Sequence, residues 1–259
     1  MKFNVEETTK KIIDDIRNYY QDNNAKGAII GISGGKDSAV CASLLVKALG
    51  KENVIGFYLP CQSHEEDKKD AQEVAKSLGI RLIEHDLTNT YEDIVNYSIN
   101  NINIINYDLL KNSNINLKPR LRINILYYYA AYFSSLNNSL YLVCGTSNKS
   151  ELFVGYFTKG GDNVCDISPI RHLYVDEVIK VGEYLNMVPD YIIHKTPDDG
   201  LSGITDEEKL GFTYSDVKKV SIELETGNID NTLNSDIRNK IMKAHRNSKH
   251  KFNIPEFRR

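Results

Sequence analysis

The sequence has several marked absences, and each one excludes a class of protein or of site. Its 259 residues contain no tryptophan and four cysteines, which are Cys41, Cys61, Cys144 and Cys165. These cysteines form no Cys-x-x-Cys pair, which argues against a zinc or iron–sulfur site. The net charge of −3 shows no basic excess, so non-specific nucleic-acid binding is not expected. No apolar run approaches the roughly 18 residues that a membrane span needs.

The N-terminal segment and the overall composition indicate a globular protein of the cytoplasm. Residues 1–11 are charged and amphipathic and lack the apolar core of a signal peptide. In that compartment the cysteines are expected to stay free thiols. Hydrophobic residues make up 41% of the chain, enough for a sizeable core. We predict one domain over residues 1–259, with a C-terminal helical part from about residue 174 and no membrane or nucleic-acid partner.

Apolar strand patterns alternate with helical patterns along the first part of the chain. Strands are predicted over residues 28–32, 53–59, 80–87 and 140–144. Helices are predicted over residues 5–22, 39–49 and 120–136, and Pro119 is expected to open the last of them. The intervening residues 96–118 are expected to include an irregular connection. Strand–helix alternation is typical of an α/β fold with a doubly wound parallel sheet and helices on both faces.

A polar turn with two glycines lies between the first predicted strand and the helix that follows it. It consists of Ser33, Gly34, Gly35, Lys36, Asp37 and Ser38. The glycines allow backbone N–H groups to converge, and the next helix points the positive end of its dipole at the same place. The turn therefore predicts a phosphate site, at the sheet edge where α/β proteins bind ligands. It matches neither the Walker A loop nor the dinucleotide-binding fingerprint.

This turn resembles the Ser-Gly-Gly-x-Asp-Ser loop of the ATP pyrophosphatases, which split ATP between the α- and β-phosphates. Further motifs, in the order found in the NAD synthetases of that group, extend the resemblance over nearly the whole chain. They are Gly-Thr-Ser-Asn-Lys-Ser-Glu at 145–151, Gly-Tyr-Phe-Thr-Lys at 155–159, Thr-Asp-Glu-Glu at 205–208, Leu-Gly-Phe-Thr-Tyr at 210–214 and His-Lys at 250–251. The sequence is therefore similar to the NAD synthetase family.

The resemblance implies a role for each residue that matches a family motif. ATP would be bound by Gly31, Ile32, Ser33, Gly34, Gly35, Lys36, Asp37, Ser38 and Thr146. Deamido-NAD would be bound by Arg120, Lys159, Asp166, His250 and Lys251. Asp37 and Glu151 would hold Mg²⁺, which prefers hard oxygen ligands. Asp37, Lys159 and Asp166 would be catalytic, with Asp166 as a candidate to deprotonate ammonium.

The resemblance also implies a fold and a reaction. The fold would be that of the adenine nucleotide alpha-hydrolase-like group. The reaction would be the amidation of deamido-NAD by ammonia, with ATP as co-substrate and with NAD, AMP and pyrophosphate as products. The nicotinate carboxylate would first be adenylated, because a free carboxylate is a poor acyl donor. The enzyme, a C–N bond-forming ligase with Mg²⁺ as cofactor, would be a homodimer without a glutaminase domain, so free ammonia would be its nitrogen source.

Two positions depart from the family pattern at the ATP site. The family usually has a lysine that reaches the ATP phosphates where this chain has Val175, and a Ser or Thr where it has Asp198. Candidates for the missing positive charge are Lys36, Arg171 and Lys195. Residues 195–211 are expected to form a mobile loop that closes over ATP.

Less specific interpretations of these patterns remain as alternatives. Glu151 also suits the dipole at the start of a helix, and Arg120 also suits a solvated first turn after a proline. Another adenylating enzyme of the ATP pyrophosphatase group, acting in tRNA modification, is the nearest alternative function, although such enzymes commonly carry cysteine pairs or basic extensions. A non-catalytic adenine-nucleotide-binding protein is an alternative from a different class.

Overall fold

A parallel sheet lies at the centre of the computed structural model, which describes residues 3–102, 106–196, 205–253 and 255–257. Its strands are β1 (Ala25–Gly31), β2 (Val54–Tyr58), β3 (Arg81–Glu84) and β4 (Leu140–Cys144). In this described part of the chain the order is β3-β2-β1-β4, and every neighbouring pair is parallel. The carboxyl ends of the strands therefore meet at one edge of the sheet.

Helices connect the strands and cover both faces of the sheet. In chain order they are α1 (Val5–Asp22), α2 (Lys36–Leu49), α3 (Glu65–Leu78), α4 (Thr88–Ile102), α5 (Lys111–Asn137), α6 (Lys149–Val154), α7 (Val175–Leu185), α8 (Asp190–Ile193), α9 (Asp206–Leu210), α10 (Tyr214–Thr226) and α11 (Ser235–Ser248). None of the helices in the described residues has the length and apolar character of a membrane span.

The inner part of β1 and the strands β2 and β4 are apolar because both faces of the sheet are buried there, whereas β3 begins and ends with the exposed residues Arg81 and Glu84. Ala28 and Ile30 of β1 belong to a core that includes side chains of α1, α2, α3 and α7. Ile29, between them, belongs to a second core with Phe57 of β2, Val143 of β4 and side chains of α4 and α5. Continuous hydrophobic runs of this kind are what a sheet covered on both sides requires. The predicted α/β fold with a doubly wound parallel sheet is confirmed.

The described residues from 175 onward form helices and the turns between them. From Val175 onward the described residues form no strand of the sheet. A third, smaller core lies between α6, α10 and α11, where Val154, Val217 and Ile241 are buried. This core attaches α6, which carries Glu151, to the C-terminal helices.

Two predicted helix boundaries are wrong. The helix after β1 begins at Lys36 rather than at residue 39, so Lys36 and Asp37 lie in its first turn. Pro119 does not open the long helix, because α5 begins at Lys111 and includes the proline. A proline inside a helix removes one backbone hydrogen bond. The turn before it is nevertheless held by tertiary contacts, such as the 2.8 Å hydrogen bond from the Thr158 hydroxyl to the Asn116 side chain.

We predict that Phe57→Ala lowers the free energy of unfolding by about 3–5 kcal/mol, because it removes a fully buried ring from the core beneath α5. The Phe57 ring packs at 4.7 Å from the ring of Tyr129. Urea denaturation measures the change. Tyr97→Ala is the control, since Tyr97 is 71% exposed and its loss should cost less than about 0.5 kcal/mol. Equal losses for the two variants would contradict the assignment of this core.

Candidate active site

The turn after β1 is held in shape by its own hydroxyl groups. The Ser38 hydroxyl donates to the carbonyl of Gly35 at 3.0 Å and accepts a hydrogen bond from the backbone N–H of Ser33 at 3.2 Å. The Ser33 hydroxyl in turn accepts from the N–H of Gly35 at 3.2 Å. These bonds fix the backbone of the turn before any ligand binds. We call residues 33–38 the phosphate loop.

Gly34 allows the phosphate loop to lie directly against α3. Its φ of +84° is in the left-handed region that favours glycine. A Cβ atom at this position would lie 2.8 Å from the carbonyl oxygen of Asp67 and 2.9 Å from the Cβ of Asp70. Glycine is therefore required here both by backbone conformation and by the space available.

The N-terminus of α2 is left open toward the phosphate loop. Its N-cap is Gly35, which makes no side-chain capping bond. By contrast, α6, α9 and α10 each begin with a reciprocal capping box. The first N–H groups of a helix without a side-chain cap are available to an anion, which the helix dipole also attracts. This arrangement suits a phosphate.

Asn148 joins the two carboxylates that were predicted to hold a metal. Its side-chain amide donates to Asp37 Oδ1 at 3.2 Å. Its side-chain oxygen accepts from the N–H of Glu151 at 3.1 Å, and its own N–H donates to Glu151 Oε2 at 3.2 Å. Two motifs more than 100 residues apart in the sequence therefore meet at one fully buried asparagine.

The carboxylates of this site repel one another. The pKa of Glu151 is raised well above its usual range by burial and by the charge of Asp37. Burial also raises the pKa of Asp206, which accepts hydrogen bonds from the hydroxyls of Tyr156 at 3.1 Å and Tyr214 at 3.3 Å. Such crowding of acidic oxygens disfavours their ionisation unless a cation is nearby.

The donor set fits Mg²⁺ bound together with phosphate. No cluster of three His, Cys, Asp or Glu side chains in the described ranges is close enough to enclose a metal ion. Asp37 and Glu151 supply two carboxylates, and Mg²⁺ in phosphate-transfer sites commonly takes one or two carboxylates plus phosphate oxygens. The residues present are therefore compatible with a metal that arrives with its nucleotide.

A cavity of about 1130 Å³ opens over the phosphate loop. Its walls come from the phosphate loop, from the first half of α5, from the segment between β4 and α6, and from α9. Its size is sufficient for a nucleoside triphosphate and part of a second substrate. Predicted site residues that line it are Gly31, Ile32, Ser33, Gly35, Lys36, Asp37, Ser38, Thr146, Glu151 and Lys251.

Three further predicted residues meet on a surface beside the cavity. The Arg120 guanidinium donates to the carbonyl of Lys159 through Nε at 3.2 Å and Nη2 at 3.1 Å. The ammonium of Lys159 donates to the carbonyl of His250 at 2.8 Å. All three are exposed and absent from the cavity wall. The structure thus brings together Arg120, Lys159 and His250, which we call the basic surface.

Asp166 lies at the edge of β4, outside the cavity wall. Its carboxylate accepts from the hydroxyl of Tyr127 at 3.0 Å and from the N–H of Val143 at 2.8 Å. Asp162, four residues earlier in the sequence, does line the cavity and accepts from the N–H of Thr158 at 2.8 Å. Burial by the cavity walls raises the pKa of Asp162. Sequence reasoning missed Asp162, although its place three residues after the Gly-Tyr-Phe-Thr-Lys motif was a usable signal.

Three basic residues of α5 were also missed. Lys111, Lys118 and Arg122 all line the cavity, and the guanidinium of Arg122 donates to the carbonyl of Leu59 at 3.0 Å. Their spacing of seven and four residues places them on one helix face. That signal was hidden because residues 96–118, which contain Lys111 and Lys118, were expected to include an irregular connection.

The three candidates for the missing positive charge at the ATP site lie in different places. Arg171 is exposed and does not line the cavity. Lys36 and Lys195 line it, and Lys195 donates to Asp67 at 3.1 Å and to Asp70 at 2.6 Å. Of the loop predicted over residues 195–211, residues 197–204, including Asp198, lie outside the described residues.

Comparison with known proteins gives the family. Residues 8–255 match the family described as NAD synthase. The chain belongs to this family. It is 39% identical, over 99% of its length and 98% of the relative's, to the NH(3)-dependent NAD(+) synthetase of Carboxydothermus hydrogenoformans. It is 43% identical to the protein of the same name from Methanocaldococcus jannaschii, over 81% and 78% of the two chains.

Solved structures agree in fold over the full length. The NMN synthetase from Francisella tularensis superposes with a TM-score of 0.84 at 30% identity, covering 99% of each chain. The NH3-dependent NAD synthetase from Campylobacter jejuni superposes with a TM-score of 0.79 at 29% identity, covering 99% of this chain and 100% of its own. The predicted family and activity, ammonia-dependent NAD synthesis by a C–N bond-forming ligase, are confirmed.

We predict that Gly34→Ala lowers the free energy of unfolding by about 2–4 kcal/mol and weakens ATP binding, since the new methyl group would push α3 away from the phosphate loop. Gly227→Ala is a matched control. Gly227 also has a positive φ, +75°, but nothing lies within 4 Å of its missing Cβ. Its replacement should cost about 1 kcal/mol and leave ATP affinity unchanged. Urea denaturation and calorimetric ATP titration measure both effects, and an equal cost at both positions would contradict the packing argument.

Proposed function

We propose that the cavity over the phosphate loop is where deamido-NAD is adenylated by ATP and then amidated by ammonia. The observation that carries this proposal is the joining of the phosphate loop to Glu151 through Asn148, beside a cavity that Asp37 and Glu151 both line and that is large enough for both reactants. The loop, the open N-terminus of α2 and the paired carboxylates together favour a nucleotide whose phosphates depart as a charged group.

In the first step an oxygen of the nicotinate carboxylate attacks the α-phosphorus of ATP. The bond from that phosphorus to the bridging oxygen breaks, and pyrophosphate leaves with the electron pair. The N–H and hydroxyl donors of the phosphate loop, already fixed in position, stabilise the charge on the leaving group. Mg²⁺ held by Asp37 and Glu151 would neutralise part of the phosphate charge.

In the second step ammonia attacks the carbonyl carbon of the acyl adenylate. The C–O bond to AMP breaks, and the nitrogen loses a proton to form the amide. Two carboxylates are candidates to accept a proton: Asp166, predicted from the sequence, and Asp162, which lines the cavity. Most of the acceleration in both steps is expected from positioning and charge stabilisation.

Deamido-NAD is proposed to extend from the cavity onto the basic surface formed by Arg120, Lys159 and His250. Guanidinium and ammonium groups suit its pyrophosphate and its nicotinate carboxylate. Lys251 donates to the carbonyls of Gly155 at 2.8 Å and Phe157 at 2.7 Å, and so holds the C-terminal segment against the cavity wall. The likeness to a protein called NMN synthetase adds nicotinate mononucleotide as a second candidate substrate.

A homodimer is proposed because large apolar side chains are exposed along one part of the fold. On α5, Tyr128 is 66% exposed, Tyr132 51% and Leu136 62%. Leu140, which begins the edge strand β4, is 42% exposed. Contiguous apolar groups of this size on a surface commonly mark an interface.

Location in the cytoplasm and the absence of nucleic-acid partners stay predictions.

We expect the purified chain, given ATP, Mg²⁺, ammonium and deamido-NAD, to form NAD, AMP and pyrophosphate in equal amounts. Asp37→Asn and Glu151→Gln should each lower kcat by about 100-fold or more, since each removes a carboxylate that would hold Mg²⁺. Asp14→Asn, on the exposed side of α1, is the control with unchanged kcat. Chromatography of nucleotides measures NAD and AMP, and a phosphate assay after pyrophosphatase treatment measures pyrophosphate.

Two outcomes of this assay decide between the alternatives. Release of ADP and phosphate instead of AMP and pyrophosphate would contradict the adenylation mechanism. A higher kcat/KM for nicotinate mononucleotide than for deamido-NAD would show that the mononucleotide is the preferred substrate.

Asp162→Asn and Asp166→Asn should separate the two candidate bases, because the base variant lowers kcat whereas a binding variant mainly raises the KM for the dinucleotide.

We predict that the double change Tyr132→Glu and Leu136→Glu converts the dimer to monomers, because two charges would be buried without partners at the interface. Sedimentation velocity measures the mass. Ile229→Glu is the control, since Ile229 is 69% exposed in the C-terminal part, away from α5. A double variant that sediments like the wild type would exclude this surface as the interface.

A further inference from the structure

Asp206 is a buried carboxylate to which the proposed reaction assigns no role. It is the first residue of α9, it lines the cavity, and it is 6% exposed. Its two oxygens accept hydrogen bonds from two tyrosine hydroxyls, Oδ1 from Tyr156 at 3.1 Å and Oδ2 from Tyr214 at 3.3 Å. A carboxylate is costly to bury unless it is hydrogen-bonded. The hydroxyls therefore explain how Asp206 can be buried, but not what it does at the cavity.

The two tyrosines connect Asp206 to different parts of the chain. Tyr214, the first residue of α10, lies 8 residues after Asp206, and its N–H also donates to Glu207 at 2.7 Å. Its bond to Asp206 stays within the C-terminal helices. Tyr156 lies 50 residues before Asp206, in the segment that follows α6. The bond from Tyr156 therefore joins α9 to another part of the site, whereas the bond from Tyr214 does not.

Residues 155–162, which we call the wall segment, form one side of the cavity. The residues of this segment that line the cavity are Gly155, Tyr156, Phe157, Thr158, Gly161 and Asp162. The segment also contains Lys159, which belongs to the basic surface proposed to bind deamido-NAD. The position of the wall segment therefore decides where the groups proposed to contact the second substrate lie.

The backbone of the wall segment is held from two sides. The N–H of Tyr156 donates to the carbonyl of Glu151 at 2.9 Å, which closes the C-terminal end of α6. The ammonium of Lys251 donates to the carbonyls of Gly155 and Phe157. The hydrogen bond from the Tyr156 hydroxyl adds a third attachment, through a residue that itself lines the cavity. Because the backbone bonds remain without it, its loss should free the Tyr156 ring to move without unfolding the segment.

We propose that Asp206 is a positioning residue for the second substrate: through the hydroxyl of Tyr156 it holds the wall segment in the position that binds deamido-NAD. The proposal rests on the proposed function of the cavity and adds to it a residue that contacts no reacting atom. Loss of this link should weaken the binding of deamido-NAD. The binding of ATP, which is proposed to depend on the phosphate loop, should stay nearly unchanged.

The test compares two variants that each remove one tyrosine hydroxyl from the same carboxylate. Calorimetry measures the Kd for deamido-NAD and, in separate titrations, the Kd for ATP with Mg²⁺. Tyr156→Phe should raise the Kd for deamido-NAD by about 10-fold, the value of one such hydrogen bond. Tyr214→Phe should raise it by less than about twofold, because its hydroxyl bonds within the C-terminal helices. The Kd for ATP should change by less than about twofold in both variants.

Steady-state kinetics and thermal unfolding separate positioning from a purely structural role. In Tyr156→Phe the KM for deamido-NAD should rise with the Kd, and kcat should fall by less than about threefold, because the proposal places Asp206 away from the reacting atoms. Both tyrosine variants should lose similar thermal stability, since each leaves the same buried carboxylate with one hydrogen bond fewer. A purely structural role would instead make their effects on the Kd equal.

Variants of Asp206 test whether Tyr156 acts through this carboxylate. Asp206→Ala should raise the Kd for deamido-NAD at least as much as Tyr156→Phe does, and the two changes together should have no more effect than Asp206→Ala alone. Asp206→Asn, which keeps one acceptor oxygen, should have a smaller effect than the alanine variant. If Asp206→Ala does not fold, Asp206→Asn takes its place in the double change, and the comparison of the two tyrosines decides without either.

Three results would overturn the proposal. They are equal increases in Kd for Tyr156→Phe and Tyr214→Phe, an equal loss of ATP and deamido-NAD affinity in Tyr156→Phe, and multiplicative effects of Tyr156→Phe and Asp206→Ala. The last result would mean that the Tyr156 hydroxyl binds the substrate directly.

These failures are distinct from a failure of the proposed function. If the wild type forms NAD and both tyrosine variants bind deamido-NAD equally well, only the role of Asp206 is wrong. If the wild type binds deamido-NAD but forms no NAD, the reaction is wrong, and the calorimetric comparison still decides on Asp206. A wild type that does not bind deamido-NAD contradicts both.

Discussion

The hydrogen bond between Asn148 and Asp37 is the contact on which the site depends. It ties the start of α2 to the start of α6, at the carboxyl ends of the adjacent strands β1 and β4. Asn148 is fully buried, and its amide also serves as the cap of α6. A buried amide needs all of its partners, so neither helix start can move without leaving polar groups unpaired. The spacing of the two carboxylates is therefore set by the fold and not by a metal.

That rigidity has an electrostatic cost in the free site. Asp37, Glu151 and Asp206 share one cavity wall, and burial adds to their mutual repulsion. The tyrosine hydroxyls on Asp206 and the nearby charge of Lys36 offset part of it. An enzyme that stabilises charge in the transition state benefits from donors and ligands that need no rearrangement. The same fixed groups make the free site less stable than an apolar one would be.

The parts of this site that could be predicted from the sequence are those formed by consecutive residues. The phosphate loop is six successive residues whose glycines, hydroxyls and place after a strand point to one chemistry, and the sheet followed from four apolar runs. The contribution of α5 was missed because Pro119 suggests a helix start, while tertiary contacts keep the turn before it helical. Asp206 was assigned no role because its partners, Tyr156 and Tyr214, meet it only in the folded chain.

The basic surface, proposed to bind deamido-NAD, and the surface proposed to meet a second subunit both include residues of α5. A mononucleotide differs from a dinucleotide by one AMP unit, so discrimination between them requires contacts beyond the nicotinate end. Arg120, Lys159 and His250 lie outside the cavity wall. Arg120 shares α5 with the exposed Tyr128 and Tyr132, which are proposed to meet a second subunit. If the distal half of the dinucleotide lies there, then dimer formation completes its binding site, and the monomer is expected to discriminate less between the two substrates than the dimer does.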